Sequence, residues 1–415
     1  MEKYLIGPFT QIVTMANLPI KGALSDDQLE IIKEGGLIIS NGKIQQVGLF
    51  NDLRIVANTE NIPIQFIEGK NVCLPAFVDC HTHIAFGGNR ANDFAYRNAG
   101  KTYLDIAAAG GGIANTVSHT RALTEQELVD IIVDRSAYLI AQGISTIEVK
   151  SGYGLNVAEE LKLLRSIQKA NQITPANLVA TCLAAHILPK DFKGNAEAYL
   201  NTIIEELFPI IKKEKLTNRI DAFIEKSAFS PSEIAPYFNK AREIGFDITV
   251  HADQFTTGGS DVAIAFDAVS ADHLEASTEK EINILAHSDT VAVALPAASL
   301  GVGCAFTPAR KLLDAGASLA VATDWNPGTA PMAQLVTSAS ILATMEKLTN
   351  AEVLAAITFR AANALRLKDR GILMNGLKAD FIVYDADNYQ NITYLQGCLQ
   401  PQSVWINGQL KYAKN

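Results

Sequence analysis

Short apolar strands alternating with helical patterns, about eight times over, constrain this chain more than any other feature in it. The candidate strands are residues 76–81, 144–149, 178–186, 220–225, 246–251, 268–273, 290–295 and 318–323. Helical spacing fills most of the gaps, as in Val157 to Ala170 and Pro231 to Ile244, where Ser230 offers an N-cap and Pro231 takes the first helical position. Repeated strand–helix alternation of this kind folds into a parallel (β/α)8 barrel, with chemistry at the C-terminal ends of the strands. No residue-level repeat and no low-complexity segment is visible.

The two chain ends read differently. Leu37 to Ser40, the turn Asn41-Gly42 and Lys43 to Gly48 form a hairpin pattern, because Asn-Gly supplies the positive φ angles of a tight primed turn. Ala379 to Asp385 and Ser403 to Gly408 are again strands bounded by turn residues. Neither end has enough strands to bury a core alone, so residues 1–74 and 368–415 are expected to pair into one small β-sandwich. Residues 75–367 are then the barrel, inserted between them.

A length of 415 residues, 48% of them hydrophobic and 19% charged, is enough to bury a large core. A net charge of -9 without a Lys/Arg cluster argues against a nucleic-acid surface. The uncharged run between Asp289 and Arg310 is about as long as a membrane span. Pro296, Gly301 and Gly303 interrupt it, and a buried strand plus loop explains it better, so no membrane is expected as a partner. Residues Met1 to Leu5 show no basic region followed by an apolar one. Cys73, Cys80, Cys182, Cys304 and Cys398 are scattered and lack a CxxC, as expected of reduced core thiols in a cytoplasmic protein.

The strand ends carry the chemistry. The run Leu74 to Asp79 ends in Cys80-His81-Thr82-His83, and in an extended strand residues i and i+2 share a face, so both imidazoles point to one side. Two imidazoles aimed together are half a metal site. His186 ends strand three, His251-Ala252-Asp253-Gln254 strand five, Asp272-His273 strand six and Thr323 to Thr329 strand eight. His119 and His287 fall in helical patterns and read as surface or ordinary core residues.

These residues resemble the amidohydrolase superfamily, whose HxH on the first strand, His on the fifth and sixth and Asp on the eighth match His81, His83, His251, His273 and Asp324. Longer stretches are similar to the imidazolonepropionases within it: Asp79 to His83 through Gly87 to Ala91, Ala109 to Ile113, Glu148 to Gly154 and Asp324 to Thr329. The resemblance implies one metal ion, zinc or iron, held by His81, His83, His251 and Asp324. It implies hydrolysis of the cyclic amide of 4-imidazolone-5-propanoate to N-formimidoyl-L-glutamate, with another cyclic amidase or an aromatic deaminase of the same superfamily as the alternative. Three imidazoles and one carboxylate suit a borderline divalent metal that ionises water near neutrality.

Proton transfer is expected of Asp324 and His273, with either as the main base. Gln254 stands where some relatives carry Glu; an amide cannot act as a base, so it should contact the substrate ring. The resemblance gives Arg90 the substrate carboxylate, Tyr153 and His186 substrate contacts, and Asn326, Gly328 and Thr329 the pocket wall, with Tyr103 a weaker wall candidate. Gly110-Gly111-Gly112 lacks the Lys-Ser/Thr ending of a phosphate loop and reads as a lid. Lys226 ends strand four, where binuclear relatives place a carboxylated lysine; a single ion is nevertheless expected. The expected assembly is a homodimer.

Overall fold

A computed structural model describes residues 3–101 and 110–414. Tyr103 and Ala109 therefore lie outside the described residues. Five strands open the chain: β1 (Tyr4–Val13), β2 (Ile31–Ser40), β3 (Lys43–Leu49), β4 (Ile64–Phe66) and β5 (Asn71–Pro75). Eight follow: β6 (Phe77–Asp79), β7 (Ile144–Lys150), β8 (Asn177–Ala185), β9 (Arg219–Phe223), β10 (Asp247–Ala252), β11 (Ser270–His273), β12 (Val291–Ala294) and β13 (Ser318–Val321). The last three are β14 (Phe381–Asp385), β15 (Ser403–Ile406) and β16 (Gln409–Ala413).

Both chain ends share one sheet, in the order β16-β15-β14-β5-β1-β2-β3 with β4 on β1. The joint is β14 on β5, antiparallel, pairing Phe381 with Pro75 and Ile382 with Leu74. The expected composite β unit is thus built from both chain ends, its strands joined in one sheet with its own core of Ile6, Phe9, Leu37, Phe381 and Trp405. Phe381 stacks on Trp405 at 5.3 Å and meets Phe9 edge-on at 6.5 Å. Asn41 and Gly42 turn the β2–β3 hairpin with φ of 50° and 76°, as the Asn-Gly signal requires.

The middle eight strands form a parallel sheet ordered β13-β12-β11-β10-β9-β8-β7-β6, with helices outside it. Helix Pro231–Ile244 begins with the expected Ser230 cap, reinforced by Glu233, and buries Ile234, Phe238 and Ala241. The uncharged run between Asp289 and Arg310 is β12, the helix Pro296–Val302 and a loop, and no helix among the described residues is long and apolar enough to cross a membrane. All five cysteines are free, but Cys304 is only half-buried and Cys398 exposed, which corrects the expectation of five core thiols. Cys398 lies in the turn after the helix Gln390–Tyr394, outside both sheets.

Two features of the barrel set up the site. Its closing seam, between β6 and β13, is made by side chain and loop: the Asp79 carboxylate accepts Thr323 N at 3.0 Å and Thr323 Oγ1 at 2.6 Å. Just beyond, Asp324 N donates to His81 O at 2.9 Å and His83 N to Trp325 O at 3.0 Å. The contact that closes the barrel therefore brings Asp324 to the histidine pair. The second feature is a polar interior, since inward positions alternate along the strands. Glu148 and Lys150 point in from β7, Arg219 and Asp221 from β9, Thr249 and His251 from β10, and Ser270 and Asp272 from β11, all buried.

Candidate metal centre

Four side chains from three strand ends converge. His81 Nε2 lies 3.3 Å from His83 Nε2, and His83 Nε2 lies 3.4 Å from His251 Nε2. Asp324 Oδ1 is 3.4 Å from His81 Nε2 and 3.3 Å from His83 Nε2. Bonds of about 2.0–2.1 Å to one ion put neighbouring donors about 3.3–3.4 Å apart, as in these four spacings, and the ligand nitrogens of His81, His83 and His251 all lie within 4.8 Å of one another. Asp324 Oδ1 is buried and accepts no hydrogen bond among the described residues, an orphan lone pair that a cation would satisfy. The donor set fits the group the sequence calls for.

Carboxylates behind the imidazoles aim them. Asp272 Oδ2 holds His81 Nδ1 at 2.6 Å, and Asp221 Oδ2 stands 3.0 Å from His251 Nδ1. The Asp272 bond places the proton of His81 on Nδ1 and turns Nε2 to the centre, and Asp221 faces the Nδ1 side of the His251 ring in the same way. Burial and Lys150 act to lower the His81 pKa, yet Asp272 and Asp324 outweigh them and hold it up to about 9. Burial depresses His83 and His251, and the neighbouring imidazoles add to this. Asp324, despite its burial, is held far below the ordinary carboxylate range by His81 and His83.

The remaining predicted residues surround this centre unevenly. His273 ends β11 with φ of 88°, followed by Leu274 at 71°, two left-handed non-glycine residues in succession. That turn sets its ring 5.4 Å from the ring of His251 and 5.9 Å from that of His81, beside the four donors rather than among them. Glu275 Oε2 lies 3.5 Å from its Nδ1. His186 stacks on His83 at 5.8 Å and Tyr153 lies 5.9 Å from the same ring, together forming one wall. Burial brings the His186 pKa down to about 4, and its Nδ1 faces Gly152 O at 2.9 Å.

Gln254 is buried past the end of β10, on a turn fixed by Asp253, whose carboxylate accepts Gly259 N at 2.9 Å and Ser260 N at 3.2 Å. Asn326 spends both ends of its amide on the loop: Nδ2 donates to Asp324 Oδ2 at 2.9 Å, and Oδ1 accepts Gly328 N at 2.7 Å and Thr329 N at 2.8 Å. These bonds shape the loop and pin Asp324.

Arg90 reaches the same loop. Its Nε donates to Asp93 Oδ2 at 2.6 Å, and Asp93 also accepts Gly112 N at 2.8 Å, tying the glycine run to the arginine. The guanidinium passes so close to Gly328 that a Cβ there would sit 2.2 Å from Nη1. Lys226 is exposed on the turn after β9. His119 is exposed on the helix Ile113–Ala122, and His287 caps the helix Glu279–Ala286. Sequence reasoning assigned no role to Asp93, Lys150, Asp221, Asp272 or Glu275. The signal that finds the middle three is period-two placement of ionisable residues on the inward face of barrel strands.

The model of the family described as "Amidohydrolase family" matches residues 72–411. A protein of Bdellovibrio bacteriovorus named imidazolonepropionase is 40% identical over 390 residues, covering 93% of this chain and 90% of its own. An imidazolonepropionase of Acinetobacter baumannii is 40% identical over 382 residues, 91% of this chain and 93% of its own. Among solved structures, atrazine chlorohydrolase from Arthrobacter aurescens TC1 complexed with zinc superposes with a TM-score of 0.73 at 15% identity, covering 99% of this chain and 95% of that one. An adenosine deaminase from Xanthomonas campestris with bound zinc gives 0.69 at 16% identity, covering 99% and 93%. At those identities the two structures speak for the fold alone.

Proposed function

This chain belongs to the amidohydrolase family and, within it, to the imidazolonepropionases, and from that premise we propose how its residues carry the reaction. It is a hydrolase of a cyclic amide. Water adds to the ring carbonyl carbon of 4-imidazolone-5-propanoate, the bond from that carbon to the ring nitrogen breaks, and N-formimidoyl-L-glutamate leaves. The observation that carries the site assignment is the convergence of three imidazole nitrogens within 4.8 Å of one another, with the Asp324 carboxylate 3.3–3.4 Å from two of them.

His81, His83, His251 and Asp324 would hold one ion, zinc or iron. Bound there, it supplies a water that ionises near neutrality and a Lewis acid for the ring carbonyl. Asp324 Oδ2, held in place by Asn326 at 2.9 Å, takes the proton from the attacking water. His273, with Glu275 3.5 Å from its Nδ1, offers Nε2 to orient the water and the ring oxygen, and Asp324 gives the proton it has taken to the leaving nitrogen. His186 donates Nδ1–H to Gly152 O and so leaves Nε2 as an acceptor for a ring N–H. Tyr153 and Gln254 contact the ring from the two sides, and Thr329 with Gly328 lines the pocket at the loop. Arg90 binds the propanoate carboxylate through its terminal nitrogens, because Nε is already committed to Asp93.

The barrel of residues 75–367 carries this site, and residues 1–74 with 368–415 form the composite unit that braces it, a division supported by the β5–β14 pairing. Cytoplasmic residence is supported by the five unpaired cysteines, and a homodimer is the proposed assembly. Ring-opening, followed by loss of the imidazolone's ultraviolet absorbance with metal counted per chain, tests the whole reading. Activity should vanish with a chelator and return with about one ion per chain. Metal-free protein that keeps full activity sinks it.

A further inference from the structure

We propose that Lys150 is a positioning residue that ties two of the metal-binding histidines together, an inference that rests on the metal-centre reading above. Lys150 is fully buried at the end of β7. Its ammonium lies 2.8 Å from Asp221 Oδ2 and 3.7 Å from Asp272 Oδ2. Those are the same two oxygen atoms that face His251 Nδ1, at 3.0 Å, and His81 Nδ1, at 2.6 Å. A continuous chain of charge therefore runs from His81 through Asp272, Lys150 and Asp221 to His251.

The carboxylates have little else to hold them. Among the described residues, Asp221 Oδ1 and Asp272 Oδ1 are buried without hydrogen-bond partners, and beyond its histidine and Lys150, Asp272 Oδ2 has only Thr249 Oγ1 at 3.4 Å. The ammonium, by contrast, is itself aimed. Glu148 Oε2 holds it from behind at 2.9 Å, and Glu148 Oε1 accepts Thr181 Oγ1 at 2.5 Å, with Arg219 Nε at 3.6 Å. One cation thus sets where two carboxylates stand, and each carboxylate sets where an imidazole points. The Lys150 backbone N–H also donates to Thr82 O at 3.0 Å, between the two histidines of the HxH run, and a side-chain substitution leaves that bond in place.

Removing the ammonium should let Asp221 and Asp272 rotate, so that His251 and His81 lose their common aim. Outer partners of metal-binding histidines typically govern metal affinity by about 10- to 100-fold. The test uses Co(II) as the probe metal on full-length wild type, Lys150→Met and the charge-balanced Lys150→Met/Glu148→Gln double variant. Affinity is read by titration, geometry by the visible absorption bands of the bound Co(II), and folding by circular dichroism and melting temperature.

The expected result is a folded variant that binds Co(II) about 10- to 100-fold more weakly, with altered bands. Should wild type itself fail to bind Co(II), the metal-centre reading fails and this proposal with it. Wild-type binding matched by a folded variant with unchanged affinity and bands overturns the role of Lys150 alone. If neither variant folds, the ammonium serves folding rather than ligand placement, and the proposal is again overturned.

Discussion

Gly328→Ala isolates what Arg90 does. The methyl group would sit 2.2 Å from Arg90 Nη1 and 2.8 Å from Cζ. Carbon contacts settle at about 3.5–4.0 Å, so the guanidinium must withdraw by about 1 Å or more. Its retreat is restricted, because Nε is fixed to Asp93 at 2.6 Å and Asp93 is itself held by Gly112 N at 2.8 Å. The Gly328 backbone lies outside the left-handed region, so the substitution adds no conformational strain of its own.

A misplacement of about 1 Å in a substrate-orienting group costs roughly 100-fold, equivalent to about 2.7 kcal/mol of transition-state stabilisation. Steady-state ring-opening should show that loss in kcat/KM, with metal content and melting temperature unchanged. Arg90→Ala should lose about 30-fold to 1,000-fold, the worth of about 2–4 kcal/mol for a charge-assisted, partly buried pair. The double variant should be no worse than Arg90→Ala alone, since the methyl then has nothing to displace. Wild-type activity in Gly328→Ala refutes the reasoning. So does a penalty that adds in full on top of Arg90→Ala, because the methyl group would then be acting elsewhere.

Thr323→Val removes the hydroxyl that donates to Asp79 at 2.6 Å across the barrel seam. With a buried carboxylate oxygen left unpaired, urea denaturation should report a loss of about 1–3 kcal/mol, and a change under about 0.5 kcal/mol would deny the seam its role. Truncation after Asn375 removes β14 to β16, uncovering the edge of β5 and taking Phe381 from Phe9. That chain should accumulate as insoluble protein, and a soluble, active truncation would refute the composite unit.

The barrel was legible in the sequence because parallel strands buried on both faces leave apolar runs that helical patterns separate. All eight strands fall within three residues of where the sequence places their ends. The HxH run was legible for a local reason: two-residue spacing in an extended chain fixes a shared face whatever the rest of the molecule does. Asp324 and His273 could be placed only at matching strand ends; that Asp324 joins the imidazoles while His273 stands beside them was settled by the seam at β6 and β13 and by two left-handed residues at the end of β11.

Least legible were the charged groups behind the four converging donors. Asp272 sits next to His273 in sequence yet serves His81, 191 positions away. Lys150 and Asp221 meet only because β7 and β9 turn their inward faces toward a common axis. Period-two spacing announces that such residues point into the barrel. Which carboxylate meets which imidazole depends on strand register and on how far each strand is staggered around the axis, and those are properties of the closed sheet that no single strand contains.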